Sequence, residues 1–280
     1  MILGTEGIDA GNEKVKVMGD YGLDSFLSCL GEARERKVGV DQFLKDDMEY
    51  EYNGKKGFAS TLADRESRLK RSRMGDSKAH EDAKLRILLA LHRYSDNCEH
   101  QIVVGQPIEK HEEIEKKAIK EMLQGRHELT VNGIRKVIVI RRVEVAPEGA
   151  ASFWCQPENG LVRMLDCGSG TINAATLRDK HYIDKETFSI NEGMSTNKTL
   201  NLDAISEAII TEATLYKWNK GDHIRLVGGA AEQIEPYLKQ YFKNAEVFYP
   251  RIQVGDGIKT VHPVYANAIG FYRIARGVFK

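Results

Sequence analysis

Short apolar runs broken by Gly- and Asn-containing turns alternate along this chain with segments whose apolar residues recur at helical spacing. Residues 2–8 and 15–18 read as a strand pair around a loop with Asn12, Glu13 and Lys14 at its tip, where Gly11 is free to take a positive φ. Residues 34–75 are polar and irregular, with a strand-like piece over 48–52 ahead of an Asn53-Gly54 turn. Ala79, Ala83, Ile87, Leu88, Leu91 and Tyr94 predict a helix over 78–95, followed by a buried strand that stops at Gly105 and Pro107. A charged helix is expected over 108–123 with Gly125 as its stop, then a hairpin of 129–131 and 136–145 turned by Asn132-Gly133. Further strands are expected over 161–165, 172–177, 224–227 and 245–249. Helices are expected over 202–218 and 232–242, with a final helix over 263–275 that is rich in small residues.

Two loops inside this pattern are alike. Asp9-Ala10-Gly11-Asn12 and Asp166-Cys167-Gly168-Ser169 each follow an apolar run and read Asp-x-Gly with a polar tip, which points to two similar halves. Backbone N–H groups approach a polyphosphate closely only where side chains are absent, as at Gly11, Gly168 and Gly170. Asn12, Ser169 and Thr171 add donors, and Lys16 on the outgoing strand points back at the phosphates. Mg²⁺ prefers oxygen ligands and keeps much of its water, so Asp9 and Asp166 suit it through water. One Asp-Gly turn alone is most often structural; the pair carries the signal.

Two more elements join the loops. Gly228, Gly229 and Ala230 lie between a strand and a helix, where paired glycines let a base and ribose rest on backbone. The spacing is not GxGxxG, which argues against a dinucleotide, and no GxxxxGK[ST] run is present. Glu148 sits in a small-residue loop after a strand, where a carboxylate orients or deprotonates a water attacking a γ-phosphate. Most loop glutamates are merely solvated, and spacing alone does not single this one out.

Composition narrows the class without naming a function. The 280 residues are 29% charged and 41% apolar, enough for one large or two modest domains with real cores. Lys+Arg and Asp+Glu are equal at 41 each, so nothing demands a nucleic acid or an anionic membrane as partner. The stretch holding Arg65, Arg68, Lys70, Arg71 and Arg73 is basic and reads first as a solvated helix face. No apolar run reaches the roughly 18 residues of a membrane span, and the N-terminus shows no signal pattern. Four scattered cysteines without CxxC spacing fit a reducing compartment, and a cytoplasmic location is expected.

In order, these elements resemble the superfamily of ATPases that includes actin, heat-shock chaperones and sugar kinases. Residues 9–16 and 166–173 are similar to its two phosphate loops. Residues 227–231 are similar to its adenosine motif, and residues 261–270 to its second connecting helix. Within it, Asp166-Cys167-Gly168-Ser169-Gly170-Thr171 and Pro147-Glu148-Gly149-Ala150 are closest to bacterial plasmid-segregation actins of the ParM/StbA group. The resemblance implies an α/β actin-like ATPase fold of duplicated ribonuclease H-like domains, with mixed sheets flanked by helices and a nucleotide cleft between them. It implies a first domain over 1–145 with 34–75 as a small inserted subdomain and with the terminal helix 262–280. The second domain then covers 146–261. It makes Glu148 and Asp166 the catalytic residues and Asp9 and Asp166 the Mg²⁺ residues.

The roughly 57 residues between Thr171 and Gly228 leave no room for the extra subdomain, IIB, usual in the family. That departure resembles the AlfA type and puts adenine contacts in doubt. Glu207, Thr211 and Glu212 on the helix that remains are the candidates for ribose and base.

The function implied is a filament-forming ATPase that uses ATP (or GTP) with Mg²⁺. Its partners are copies of itself and a DNA-binding adaptor on plasmid DNA. A small-molecule kinase on the same scaffold is the alternative, but residues 34–75 show no base-plus-pocket pattern. A chaperone ATPase needs a peptide-binding domain for which no residues remain after Lys280. A non-hydrolysing regulator of cell shape or division is only weakly excluded.

Overall fold

The computed structural model describes residues 3–37, 43–72, 77–191, 193 and 201–280. The chain forms two compact units. Met1–Val104, Glu113–Val145 and Ala275–Lys280 make the first, and Gly105–Glu112 with Ala146–Ile274 the second.

The first unit is built on a ten-stranded mixed sheet. Third from one edge is β1 (Leu3–Ala10), buried along almost its whole length, as a strand covered on both faces must be. It pairs antiparallel with β2 (Lys14–Gly19), which continues antiparallel into β3 (Gly22–Leu27). After β4 (Leu30–Glu32), β5 (Asp47–Tyr52) and β6 (Lys55–Ala59) form a hairpin. Its Asn53 and Gly54 take φ of 50° and 74°, the left-handed pair a tight type I′ turn requires. The short helix α1 (Ser60–Glu66) and the two-residue β7 (Lys70–Arg71) complete this region.

Next, α2 (Glu81–Tyr94) starts at His80, whose ring accepts the Ala83 N–H, with Glu81 and Asp82 at its positive end and His92 and Arg93 at its negative end. It packs its apolar stripe on the sheet and joins the cluster around Ile8, Val15, Val17, Leu88, Leu91 and Ile102. β8 (Glu99–Gln106) returns parallel to β1. After α3 (Glu113–Leu123), β9 (Gly125–Val131) and β10 (Ile134–Pro147) form the hairpin read from Asn132-Gly133, with φ of 48° and 80°.

The second unit repeats the central arrangement in a six-stranded sheet. β11 (Leu161–Cys167) pairs antiparallel with β12 (Ile172–Arg178), and parallel with β15 (Ile224–Val227). Between them lie β13 (His181–Tyr182), β14 (Phe188–Ile190) and α4 (Leu202–Leu215), capped by the Asn201 side chain. α5 (Ala231–Leu238) and β16 (Ala245–Val247) follow β15. After them come the hairpin of β17 (Arg251–Val254) and β18 (Gly257–Thr260), and then α6 (Ala266–Val278). The core packs Leu165, Ile172, Ile209, Trp218, Leu226, Ile234 and Phe242.

Several expectations need correction. The helix over 108–123 is broken. A 3-10 turn covers Ile108–Lys110, and His111, with ψ 53°, leads the chain out before α3 begins. The helix expected over 232–242 is regular only to Leu238, although the Phe242 N–H still bonds the Leu238 carbonyl at 2.8 Å. The described residues within 34–75 hold more regular structure than their polarity implies: β5, β6, α1 and β7. The 251–260 hairpin has no counterpart in the elements expected from sequence: its strands are four residues each and exposed at all but Ile252.

The basic stretch is largely ion-paired: Arg65 meets Asp47 at 2.7 Å, Lys70 meets Asp64 at 2.9 Å and Arg71 meets Asp82 at 2.9 Å. It therefore offers less free positive charge than the sequence run implies; Arg73 lies outside the described residues.

One buried cation organises the second unit. Arg163, almost fully buried in β11, donates to Asp222 at 2.8 Å, Glu186 at 2.7 Å, the Thr176 hydroxyl at 2.6 Å and the Lys217 carbonyl at 3.1 Å. Removing it leaves two carboxylates without their cation, which costs far more than an exposed pair would. Arg163→Met is expected to lose about 3–5 kcal/mol of stability in urea unfolding; a loss under about 0.5 kcal/mol would mean the carboxylates are solvated instead.

Candidate functional site

The two Asp loops occupy the same place in their sheets. Asp9 pairs with Lys16 and Asp166 with Asn173, in each case seven residues on, and the closing pairs are Ala10 with Val15 and Cys167 with Ile172.

In the first loop, the Lys16 ammonium lies 2.9 Å from Asp9 Oδ2, both side chains being mostly buried. Gly11 does not take a positive φ, contrary to expectation. Its missing side chain matters for another reason: a Cβ there would lie 3.0 Å from the Lys14 carbonyl and 3.1 Å from Lys16 Nζ. The loop thus holds Asp9, Gly11 and Lys16 together, with Asn12 partly exposed at its edge.

In the second unit the Asp166 loop, the Gly228-Gly229 turn and Glu148 converge. Asp166 is 7% exposed at the end of β11. Gly228, with φ +91°, closes on it: a Cβ there would lie 2.5 Å from the Cys167 carbonyl and 2.6 Å from Asp166 Oδ1, so no other residue fits unshifted. The Gly228 N–H reaches the Pro263 carbonyl at 3.2 Å, and the Ala230 N–H bonds the Cys167 carbonyl at 3.1 Å. Gly229 is exposed beside them. Gly168, Ser169, Gly170 and Thr171 are all partly exposed at the loop. The Gly168 N–H bonds back to the Thr171 carbonyl at 3.1 Å, and Gly193 packs so closely that a Cβ on it would meet the Ser169 carbonyl at 2.5 Å.

Glu148 is 8% exposed, its N–H on the Gln106 carbonyl at 2.9 Å. Its side chain lies over Gly105, where a Cβ would fall 2.9 Å from Glu148 Cγ. The next residue, Gly149, has φ +78° and sits within 3.4 Å (as Cβ) of Asp166 Cβ. The two residues read as catalytic therefore stand together in one unit.

Asn267, which sequence reasoning did not single out, joins them. Its Nδ2 donates to Asp166 Oδ2 at 2.8 Å, and its Oδ1 accepts the Gly149 N–H at 3.0 Å. The signal available was a polar amide inside a run of small residues at a helix start. Asn173 is likewise buried and accepts from Ser189 at 2.9 Å.

Two candidates stand apart. Glu207 and Thr211 lie one turn apart on the exposed face of α4, and Glu212 is half-buried beside them. No hydrogen bond or ion pair ties Glu207 or Thr211 to the loops among the described residues. Cys167 is not a nucleophile candidate: burial, with Asp166 adding to it, pushes its thiol well up, so it stays neutral and serves packing.

Asn267→Ala leaves the Gly149 N–H and one Asp166 oxygen short of a partner. The variant is expected to lose about 1–3 kcal/mol in urea unfolding. Unchanged stability would show that water replaces the amide at no cost.

Solved structures with the same fold include "AlfA Filament bound to AMPPNP", at TM-score 0.76 and 19% identity with 100% of each chain covered. An AlfA filament from B. subtilis matches at TM-score 0.75 and 19% identity, over 95% of this chain and 97% of that one. A 15-stranded ParM filament from Clostridium botulinum matches at TM-score 0.77 and 16% identity, over 99% and 100%. No curated protein sequence matches the chain. No helix among the described residues is long and apolar enough to cross a membrane. Residues 7–150, just over half of the sequence, match the family described as "Actin like proteins N terminal domain", and the chain belongs to this family of actin-like proteins.

Proposed function

We propose that this protein is a filament-forming ATPase that moves plasmid DNA by polymerising. The observation that carries the reading is the pair of Asp loops in equal register, the second joined through Asn267 to the Glu148 turn. Family membership and the likeness to AlfA and ParM filaments support it. The domain limits proposed with this reading are residues 1–145, with 34–75 as an inserted subdomain and the terminal helix 262–280, and residues 146–261 without IIB; the compact units differ from them in that residues 105–112 and 262–274 group with the second unit.

The nucleotide is ATP (or GTP). Gly11, Asn12 and Lys16 take phosphate in the first unit, and Gly168, Ser169, Gly170 and Thr171 take it in the second. Gly228, Gly229 and Ala230 receive the adenosine, with Glu207 and Thr211 as candidates for the ribose and base. Among the described residues no group of three His, Cys, Asp or Glu side chains converges as a closed metal site. Mg²⁺ keeps several waters and needs only one or two carboxylates beside the phosphates. Asp9 and Asp166 would be those carboxylates, and the ion would supply charge neutralisation at the phosphates. Glu148 orients a water and takes its proton as the water oxygen bonds the γ-phosphorus and the bond to the bridging oxygen breaks. ADP and phosphate leave.

Head-to-tail contacts between copies propagate into an open polymer. A ligand that favours the assembling state shifts the population toward it. The protein works in the cytoplasm, where a DNA-binding adaptor couples the filament to its cargo.

Right-angle light scattering on adding Mg-ATP is expected to rise above a sharp protein threshold in wild type and stay flat in Asp166→Ala. Glu148→Ala is expected to polymerise while phosphate release falls about 100-fold or more. A flat wild-type trace at all concentrations and salts, with ATP consumed only when a sugar acceptor is present, would overturn the filament reading in favour of a kinase.

A further inference from the structure

The first Asp loop is held by residues far away in sequence. Lys78, just ahead of α2, donates its ammonium to the Ala10 carbonyl at 2.8 Å. Ser28, fully buried, donates its hydroxyl to the Gly11 carbonyl at 2.5 Å and its N–H to the Glu13 carbonyl at 2.9 Å. Ser28 is fixed in turn by Arg86, a fully buried guanidinium whose Nε reaches the Ser28 carbonyl at 2.7 Å. The other end of that guanidinium holds the Arg71 and Ser72 carbonyls at 3.1 Å each.

These bonds set the direction of the loop's donors. A trans peptide is planar, and its C=O and N–H point opposite ways. Turning the Ala10 carbonyl toward Lys78 aims the Gly11 N–H the other way. Turning the Gly11 carbonyl toward Ser28 does the same for the Asn12 N–H. Successive N–H groups presented away from the core form an anion-binding concavity. A cation on the carbonyl also polarises its own peptide, which strengthens the N–H at the far end of that unit. The second loop caps the matching carbonyl, that of Cys167, with a neutral backbone donor, the Ala230 N–H at 3.1 Å. The first loop uses a charged side chain for the same task.

We propose that Lys78 and Ser28 are positioning residues for the polyphosphate of a nucleoside triphosphate, fixing the Ala10 and Gly11 carbonyls so that the Gly11 and Asn12 N–H groups meet the phosphates. This rests on the nucleotide reading above. Lys78 acts through the peptide and does not itself touch the ligand. Arg86 is the brace beneath Ser28, and burial lowers its pKa only to about 10, which leaves it charged at neutral pH.

The test is calorimetric titration of the full chain, below its assembly threshold, with Mg-ATP and separately with adenosine, alongside the melting temperature of each unliganded variant. Lys78→Met is expected to weaken Mg-ATP about tenfold, a loss of about 1.4 kcal/mol, with adenosine unchanged. Lys78→Arg, which keeps a charged donor, is expected to recover most of the affinity. Ser28→Ala is expected to weaken Mg-ATP in the same selective way. Wild-type affinity for Mg-ATP in both Lys78→Met and Ser28→Ala, or equal losses for ATP and adenosine, would overturn the inference while leaving the nucleotide reading intact. A wild-type chain that binds no Mg-ATP would overturn both.

Discussion

The second unit turns on one carboxamide. Asn267 accepts from Gly149 and donates to Asp166, so the turn that carries Glu148 and the loop that carries Asp166 are registered against a single side chain on α6. Little slack surrounds it. Gly149, Gly228 and Gly193 each lie where a Cβ would press on the second loop or its Asp. Gly270, one turn further along α6, lies where a Cβ would meet the Ala151 carbonyl at 2.1 Å. Close backbone approach at these glycines lets a helix, a strand–turn–strand and the Glu148 turn meet within hydrogen-bond range. It also explains why the final helix is rich in small residues.

Duplication gives both units the same frame and then separates their chemistry. The residue opposite each Asp is Lys16 in one loop and Asn173 in the other. Lys16 neutralises Asp9 and is a cation that a phosphate can recruit. Asn173 is buried and tied to Ser189, so it shapes the second loop without adding charge. Charge support in the first unit comes from Lys78 and Arg86. In the second unit a buried network around Arg163 fixes the sheet away from the loop.

Local signals in the sequence carried the frame. Asn53-Gly54 and Asn132-Gly133 specify their hairpins because both positions need positive φ. The helical spacing of Ala83, Ile87, Leu88 and Leu91 specifies α2 because the sheet buries that stripe. Asp9, Gly11, Asp166, Gly168 and Gly228 were legible because few other residues suit such turns. Asn267, Ser28 and Lys78 were not, since their partners lie 118, 17 and 68 positions away and no local pattern marks them. The 251–260 hairpin escaped because its strands face solvent on nearly every residue. The basic run over 65–73 misled because its neutralising carboxylates, Asp47 and Asp82 among them, belong to other elements.

The proposed function requires both Asp9 and Asp166 for binding of Mg-nucleotide. A double-mutant cycle tests it most directly, comparing Mg-ATP affinity in wild type, Asp9→Ala, Asp166→Ala and the double variant. Loops that share a ligand are expected to show coupling of about 0.5–3 kcal/mol, the double variant departing from the sum of the single losses. Strict additivity, or either single variant binding as wild type does, would contradict the account.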